Sequence, residues 1–291
     1  MRWRSSRQSS NIEDRRSSGG FGGSGGGGMK IGFLGTAAIV IVGWFLGINP
    51  LQMLGLIGGA NTILGGLESN SPQTQVAPPR NDETTQFVRS ILGETEDVWG
   101  SVFQQMGRRY RDPTLVLFTN ETDSVCGYSS AATGPFYCPG DQKVYIDLGF
   151  FNELNSLGAS GDFAQAYVIA HEIGHHVQNQ LGITDKVSAM QERVSQTEAN
   201  ALSVAVELQA DCYAGIWANK AQQHNNILES GDIEEAINAA ASIGDDRLQR
   251  MSGRHVNPDN FTHGSSRQRA EWFQRGLQSG DLRKCDTFNS P

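Results

Sequence analysis

A His-Glu-x-x-His motif, formed by His171, Glu172 and His175, constrains this chain more than any other feature of its sequence. The surrounding residues 168–177 contain no proline and are mostly apolar, which is compatible with a helix. Helical residues four apart project from one face, so His171 and His175 can bind the same metal ion while Glu172 reaches a water on it. The motif therefore predicts a helix that supplies two zinc ligands and a general base.

A hydrolytic zinc site needs a third protein ligand and one open position. No histidine follows His175 at the spacing of the metzincin pattern. The favoured third ligand is Glu207, in a predicted helix over residues 192–223 that has no proline and one glycine. Asp211 shares a face with Glu207, and we expect it to accept a hydrogen bond from a ligating histidine. Asp211 or Glu198 as the ligand, or a surface salt bridge for Glu207, are the alternatives.

With these motifs the chain resembles a family of bacterial membrane-anchored neutral zinc metallopeptidases. The resemblance covers essentially the whole chain, through residues 1–4, 11–16, 134–138, 141–147, 207–215, 262–266 and 278–281 and the helix of His171. It implies a zincin-like catalytic domain of the Glu-zincin type. In such a domain His171, His175 and Glu207 bind Zn²⁺ and Glu172 is the base. The resemblance implies peptidase chemistry more firmly than it implies any substrate.

Four consecutive regions are predicted. Residues 1–30 are rich in Arg, Ser and Gly and indicate a disordered basic tail. Residues 31–67 carry no charge and are interpreted as a membrane anchor, with one transmembrane helix over about residues 31–48. The alternative is a buried helix of a soluble protein. Residues 68–82 form a linker, and residues 83–291 are long enough for one catalytic domain.

The charge distribution predicts an orientation in the membrane. Residues 1–30 carry a net charge of +4, which leaves −12 of the total of −8 for the remainder. Basic residues stay on the cytoplasmic side, so we expect a cytoplasmic amino terminus and a catalytic domain in the periplasm or outside the cell. The acidic balance of that domain argues against a nucleic-acid partner.

Four cysteines agree with an oxidising compartment. Cys126 and Cys138 bracket a loop that contains Gly, Ser and Pro, whereas Cys212 follows Asp211 and Cys285 lies near the end of the chain. Of the three possible connectivities, Cys126–Cys138 with Cys212–Cys285 is favoured. A second zinc site is the alternative, although no Cys-x-x-Cys spacing is present.

The expected fold is α+β, dominated by helices and containing a small sheet. Helical spacing begins at about residue 83, and residues 115–118 and 143–148 read as strands. The second strand precedes the His171 helix, where zincins commonly have the edge strand that binds an extended peptide. A half-buried strand without that role explains its alternation equally well.

Four further histidines have other expected roles. His176 is adjacent to His175 and must point about a quarter turn away from it, so we expect it to be structural or to line the rim of the site. His263, in a Thr-His-Gly-Ser-Ser segment followed by arginines, is the candidate donor to the oxyanion, with capping or core packing as the alternative. His255 is a weaker candidate for that role, and His224 is expected to be exposed.

The predicted function is a membrane-anchored zinc endopeptidase acting on peptides or proteins. The alternatives are a zinc-containing binding or quality-control factor, and an amidase of cell-wall peptides.

Overall fold

The computed structural model describes residues 1–16, 82–130 and 133–289. Its strands are β1 (Ile12–Asp14), β2 (Thr114–Phe118), β3 (Glu121–Ser124), β4 (Gly127–Ser130), β5 (Phe136–Cys138) and β6 (Lys143–Asp147). Its helices are α1 (Glu83–Gln105), α2 (Phe150–Ser156), α3 (Asp162–Leu181), α4 (Ile183–Gln191), α5 (Gln196–Asn225), α6 (Asp232–Ser242), α7 (Asp245–Met251) and α8 (Ser266–Ser279), with short 3-10 turns at Pro258–Asn260 and Leu282–Cys285. The predicted helix-dominated α+β class with a small sheet is confirmed.

Residues 1–16 are folded, which differs from the disordered tail expected for residues 1–30. Met1, Trp3 and Ile12 are buried in the main hydrophobic core, and β1 adds a parallel strand to the sheet. The amino-terminal ammonium lies 2.8 Å from Asp162 Oδ1 and 3.4 Å from Asp232 Oδ1. The sequence did not predict this packing, because three separated apolar residues in an Arg- and Ser-rich stretch produce no periodic signal.

The predicted transmembrane helix, residues 31–48, lies outside the described residues. None of the helices within the described ranges is sufficiently long and apolar to cross a membrane. The prediction of a span therefore rests on the sequence alone.

The main sheet has four strands in the order β1-β2-β6-β5. β1, β2 and β6 are parallel, and β5 runs antiparallel to β6. Of the two interpretations of residues 143–148, the sheet edge is wrong, because β6 pairs with a strand on each side. Residues 144–147 of β6 are buried on both faces of the sheet. One face packs on the helical core, and the other is covered by a small cluster that includes Phe118, Phe136 and Cys126.

Helix α3, which carries the His-Glu-x-x-His motif, crosses the core. It packs against α1, α5 and α6, and its apolar residues from Phe163 to Val177 are almost fully buried. It ends at Gly182, which adopts the left-handed conformation (φ 75°) that favours glycine after a helix. Glu235 of α6 accepts a hydrogen bond from Phe163 N in the first turn, at 3.0 Å. Both ends of the motif helix are therefore held in place.

Helices α5 and α8 touch backbone to backbone. A Cβ atom added at Gly276 of α8 would lie 1.9 Å from Cys212 O of α5. The Cys212–Cys285 disulfide joins the same two regions, and the second disulfide is Cys126–Cys138. This is the connectivity that the sequence favoured.

Candidate metal centre

Three side chains from two helices converge on one point. His171 and His175 of α3 face Glu207 of α5, with His171 Nε2 3.1 Å from Glu207 Oε2 and His175 Nε2 3.4 Å from Glu207 Oε1. One ligand atom from each residue lies within 4.8 Å of the other two. Two imidazole nitrogens and a carboxylate form a donor set that suits Zn²⁺. The residues predicted to bind metal are thus brought together.

A buried ionic network binds the outer ring nitrogen of His171, which is Nδ1, the nitrogen that points away from Glu207. His171 Nδ1 donates to Asp211 Oδ1 at 2.8 Å, and Asp211 is fully buried. Arg269 of α8 donates to both carboxylate oxygens of Asp211, at 2.9 Å and 3.0 Å, and Tyr167 also donates to it. Asp211 therefore contacts His171 on the side away from Glu207, as the helix spacing predicted. Its oxygens accept hydrogen bonds from His171, Arg269 and Tyr167.

The outer nitrogen of His175 has a neutral partner. His175 Nδ1 donates to Gln178 Oε1 at 2.9 Å. The Gln178 amide is oriented in turn, because its Nε2 donates to Val206 O at 2.7 Å and to Gln209 Oε1 at 3.1 Å. Gln209 Nε2 donates to Cys285 O at 2.9 Å. With both Nδ1 atoms hydrogen-bonded in this way, both Nε2 atoms face Glu207.

The charges of the site favour a cation. Burial disfavours charge on all of these groups, but Asp211 and Glu207 outweigh it and raise the pKa of His171 to about 10. His175 and His171 outweigh burial in the same way and hold the pKa of Glu207 well below its usual value. The Glu207 carboxylate therefore stays ionised and available to a metal.

Glu172 has the opposite environment. It is buried beside the two histidines, and burial raises the pKa of its carboxyl, which His175 and His171 only partly oppose. A carboxylate with a raised pKa can both accept and return a proton near neutral pH.

Residues 1–288 match the family model described as "Putative neutral zinc metallopeptidase". The chain belongs to this family. It is 47% identical over 293 residues to the uncharacterized protein YpfJ of Escherichia coli (strain K12), and the match covers 99% of each chain. It is 40% identical over 219 residues to the uncharacterized protein Rv2575 of Mycobacterium tuberculosis (strain ATCC 25618 / H37Rv), covering 72% of this chain and 73% of that relative. No solved structure matches the chain.

His263 and Asp245 form a second histidine–carboxylate pair, close enough to Glu207 for their charges to interact. Asp245 Oδ2 accepts hydrogen bonds from the backbone N–H groups of Thr262, His263 and Gly264, and Asp245 Oδ1 lies 3.3 Å from His263 Nδ1. Burial disfavours the charged imidazolium, but Asp245 and Glu207 outweigh burial and raise the pKa of His263. The candidate oxyanion donor is therefore near the carboxylate of the metal centre.

The remaining candidates lie away from the converging ligands. Glu198 is the N3 residue of a capping box with Ser195 at the start of α5. His224 and His255 are exposed. His176 is fully buried: its Nε2 donates to Arg111 O at 2.7 Å, and Tyr137 donates to its Nδ1 at 3.0 Å. These contacts fit the structural role expected for His176.

Four residues around the site were missed by the sequence reasoning: Tyr167, Gln178, Asp245 and Arg269. Gln178 was the most accessible, since it lies three residues after His175 and therefore on the same side of the helix. Tyr167 precedes His171 by four residues and carries the same signal. Asp245 and Arg269 come from other elements, and no local pattern links them to the motif.

Proposed function

We propose that this protein is a zinc metallopeptidase that hydrolyses peptide bonds, with His171, His175 and Glu207 as the metal ligands. The convergence of these three side chains carries the proposal, because both outer nitrogens already have acceptors and both Nε2 atoms face the third ligand. A buried carboxyl, Glu172, stands on the same helix, as a hydrolytic site requires. The domain then corresponds to the Glu-zincin type.

Zn²⁺, when bound, supplies a Lewis acid that polarises the scissile carbonyl and lowers the pKa of a water to about 7. Glu172 accepts a proton from the attacking water and later donates it to the leaving amine, for which its raised pKa is suited. Asp211, held by Arg269, orients the His171 ring so that its Nε2 faces Glu207.

His263 is the proposed donor to the oxygen that becomes negative in the transition state. Asp245 Oδ1 lies 3.3 Å from its Nδ1, and Asp245 and Glu207 outweigh burial and raise the pKa of His263, which favours the imidazolium, the form that donates through both ring nitrogens. Removing one such donor typically costs about 10²- to 10³-fold in kcat.

Peptide or protein chains are the proposed substrates. Among the described strands, β1 and β5 are the two edges of the main sheet, and β5 is the proposed edge for the substrate. Its Tyr137 accepts a hydrogen bond from Asn179 of α3 at 2.9 Å, which ties this edge to the motif helix. An extended substrate can pair with such an edge through main-chain hydrogen bonds. Attachment to a membrane through residues 31–48 remains a prediction.

The deciding experiment compares the full-length protein with Glu172→Gln and with the exposed control Glu192→Gln. Zinc content and cleavage of an unfolded protein are measured for each. We expect about one zinc per chain in all three. Glu192→Gln should keep chelator-sensitive activity, and Glu172→Gln should lose about 10²- to 10⁴-fold.

Zinc without cleavage in the parent would contradict the peptidase proposal and favour the binding factor. Cleavage of cell-wall peptides alone would favour the amidase. Lack of zinc in all three forms would contradict the site itself.

A further inference from the structure

The structure holds residues 16 and 82 together. Arg16 Nη1 lies 3.4 Å from Asp82 Oδ2, and Arg16 Nη2 donates to Thr85 Oγ1 at 2.8 Å. Asp14 is buried and accepts from Arg16 Nε at 2.8 Å and from Arg16 Nη2 at 2.6 Å. The Arg16 side chain is only 9% exposed. Residues 16 and 82 therefore lie side by side in the domain, although 65 residues separate them in the sequence.

Residues 1–16 are an integral part of that domain. Arg15 N donates to Leu117 O at 2.7 Å, and Leu115 N donates to Asn11 O at 2.9 Å. Trp3 is buried and packs edge-on against Phe87 of α1, with ring centroids 5.5 Å apart. Detaching this segment would break a parallel strand pairing and expose core residues. Residues 1–16 therefore belong to the same folded domain as the metal centre.

A single membrane crossing between residues 16 and 82 is incompatible with this arrangement. The hydrocarbon core of a bilayer is about 30 Å thick. One crossing would place Arg16 and Asp82 on opposite sides of it, whereas their charged groups are 3.4 Å apart. The charge-free residues 31–67 lie between these two anchor points in the sequence.

The basic residues that predicted a cytoplasmic amino terminus have partners within the domain. The rule that orients membrane proteins depends on Lys and Arg near a span, held back by the cytoplasmic side. Five of the six basic residues in residues 1–30 instead form salt bridges: Arg2 with Glu229, Arg4 with Glu83, Arg7 with Glu96 and Asp97, Arg15 with Glu13, and Arg16 with Asp14. These five charges therefore have acidic partners in the folded domain, and a cytoplasmic location is not needed to explain them.

We propose that residues 1–16 and the metal centre lie on the same side of the membrane, and that the corner formed by Arg16 and Asp82 faces the lipid bilayer. The two disulfides assign this side to an oxidising compartment. The amino terminus is then extracytoplasmic together with the catalytic residues, in contrast to the orientation predicted from charge.

The first test labels cysteines in intact spheroplasts that express the full-length protein. Gln8→Cys reports on the amino-terminal segment and Gln104→Cys on the domain, and both positions are exposed. The native cysteines are paired in disulfides, so the parent protein is the unlabelled control. A membrane-impermeant maleimide should label both variants to the same extent before and after lysis. Labelling of Gln104→Cys with protection of Gln8→Cys would overturn the proposal. Protection of both until lysis would keep the shared side but overturn its assignment to the oxidising compartment.

The second test asks whether residues 1–16 stay bound when the chain is cut. Protease sites are inserted within residues 19–28 and within residues 70–76 of the full-length protein, which is cleaved in detergent. The amino-terminal fragment should remain with the domain on gel filtration and separate from it only in denaturant. Separation under native conditions would overturn the proposal. Neither measurement depends on zinc or on peptidase activity.

Discussion

The two histidines of the metal centre differ in the residue behind them. His171 donates to a carboxylate, Asp211, whereas His175 donates to the amide of Gln178. A carboxylate partner increases the basicity of an imidazole, and a neutral amide orients the ring with a smaller effect on its charge. Both arrangements fix the orientation of the imidazole ring before a metal binds. The site therefore spends little free energy on ordering its ligands when zinc binds.

The Gln178→Leu variant tests this orientation. It removes the acceptor of His175 Nδ1 while keeping a side chain of similar bulk, so we expect zinc affinity to fall about 10- to 100-fold. Competition with a chromophoric chelator measures the affinity. Gln223→Leu, at an exposed position of α5, is the control and should bind zinc as the parent does. Unchanged affinity in Gln178→Leu, with folding verified by circular dichroism, would refute the positioning role.

A buried neutral histidine makes stability depend on pH. Burial lowers the pKa of His176 to about 4, below its ordinary value of 6.5. Between these values the unfolded chain binds a proton that the folded chain does not, so stability rises with pH and is lost as pH falls. From pH 7 to pH 5 this group should cost the fold about 2 kcal/mol.

Urea unfolding of the parent and of His176→Gln at both pH values isolates that contribution. Gln keeps a donor for Arg111 O but does not titrate. The stability advantage of the parent over the variant should shrink by about 2 kcal/mol at pH 5. An advantage that stays constant with pH would show that His176 titrates normally in the folded protein.

At the scale of elements, α8 determines how firmly α5 is held. Gly276→Ala would place a methyl group 1.9 Å from the carbonyl oxygen of Cys212, and backbone cannot yield as a flexible side chain does. We expect a loss of about 1–3 kcal/mol or more, because the helices must separate. Gly100→Ala on α1 has nothing within 4 Å of its new methyl group and should be neutral or stabilising by up to about 1 kcal/mol. Thermal unfolding compares the two, and equal melting temperatures would contradict the close contact.

The sequence predicted features that depend on neighbouring residues, and it did not predict those that depend on residues far apart in the chain. Helical spacing is a local property, so α3 and the shared face of Glu207 and Asp211 on α5 were accessible from the sequence alone. The alternation of residues 143–148 predicted a strand but not its neighbours, because pairing with β2 and β5 depends on distant segments. Arg269 reaches Asp211 across 58 residues, and only the packing of α8 reveals that pair.

At the scale of the whole molecule, the amino-terminal segment connects elements that are far apart in sequence. The Met1 ammonium contacts Asp162, the first residue of α3, and Arg2 N donates to Ile227 O, just after α5, at 2.8 Å. Ser9 donates to the buried Glu96 of α1. Residues 1–16 thus contact the start of α3 and the segment just after α5, and these are the two helices that carry the metal ligands. We therefore expect them to belong to the same cooperative unit as the metal centre.

Trp3→Ala measures whether this unit is cooperative. Removing a large buried side chain from a core typically costs about 3–5 kcal/mol, and Trp3 is 6% exposed. Because Trp3 packs against α1 in the main core, the loss should move the unfolding of the whole domain. Urea unfolding followed by far-ultraviolet circular dichroism should show one transition shifted to lower urea, with Gln8→Ala, at an exposed position, unchanged. An unshifted helical transition in Trp3→Ala would mean that residues 1–16 fold separately from the domain, and the shared-side proposal would lose its physical basis.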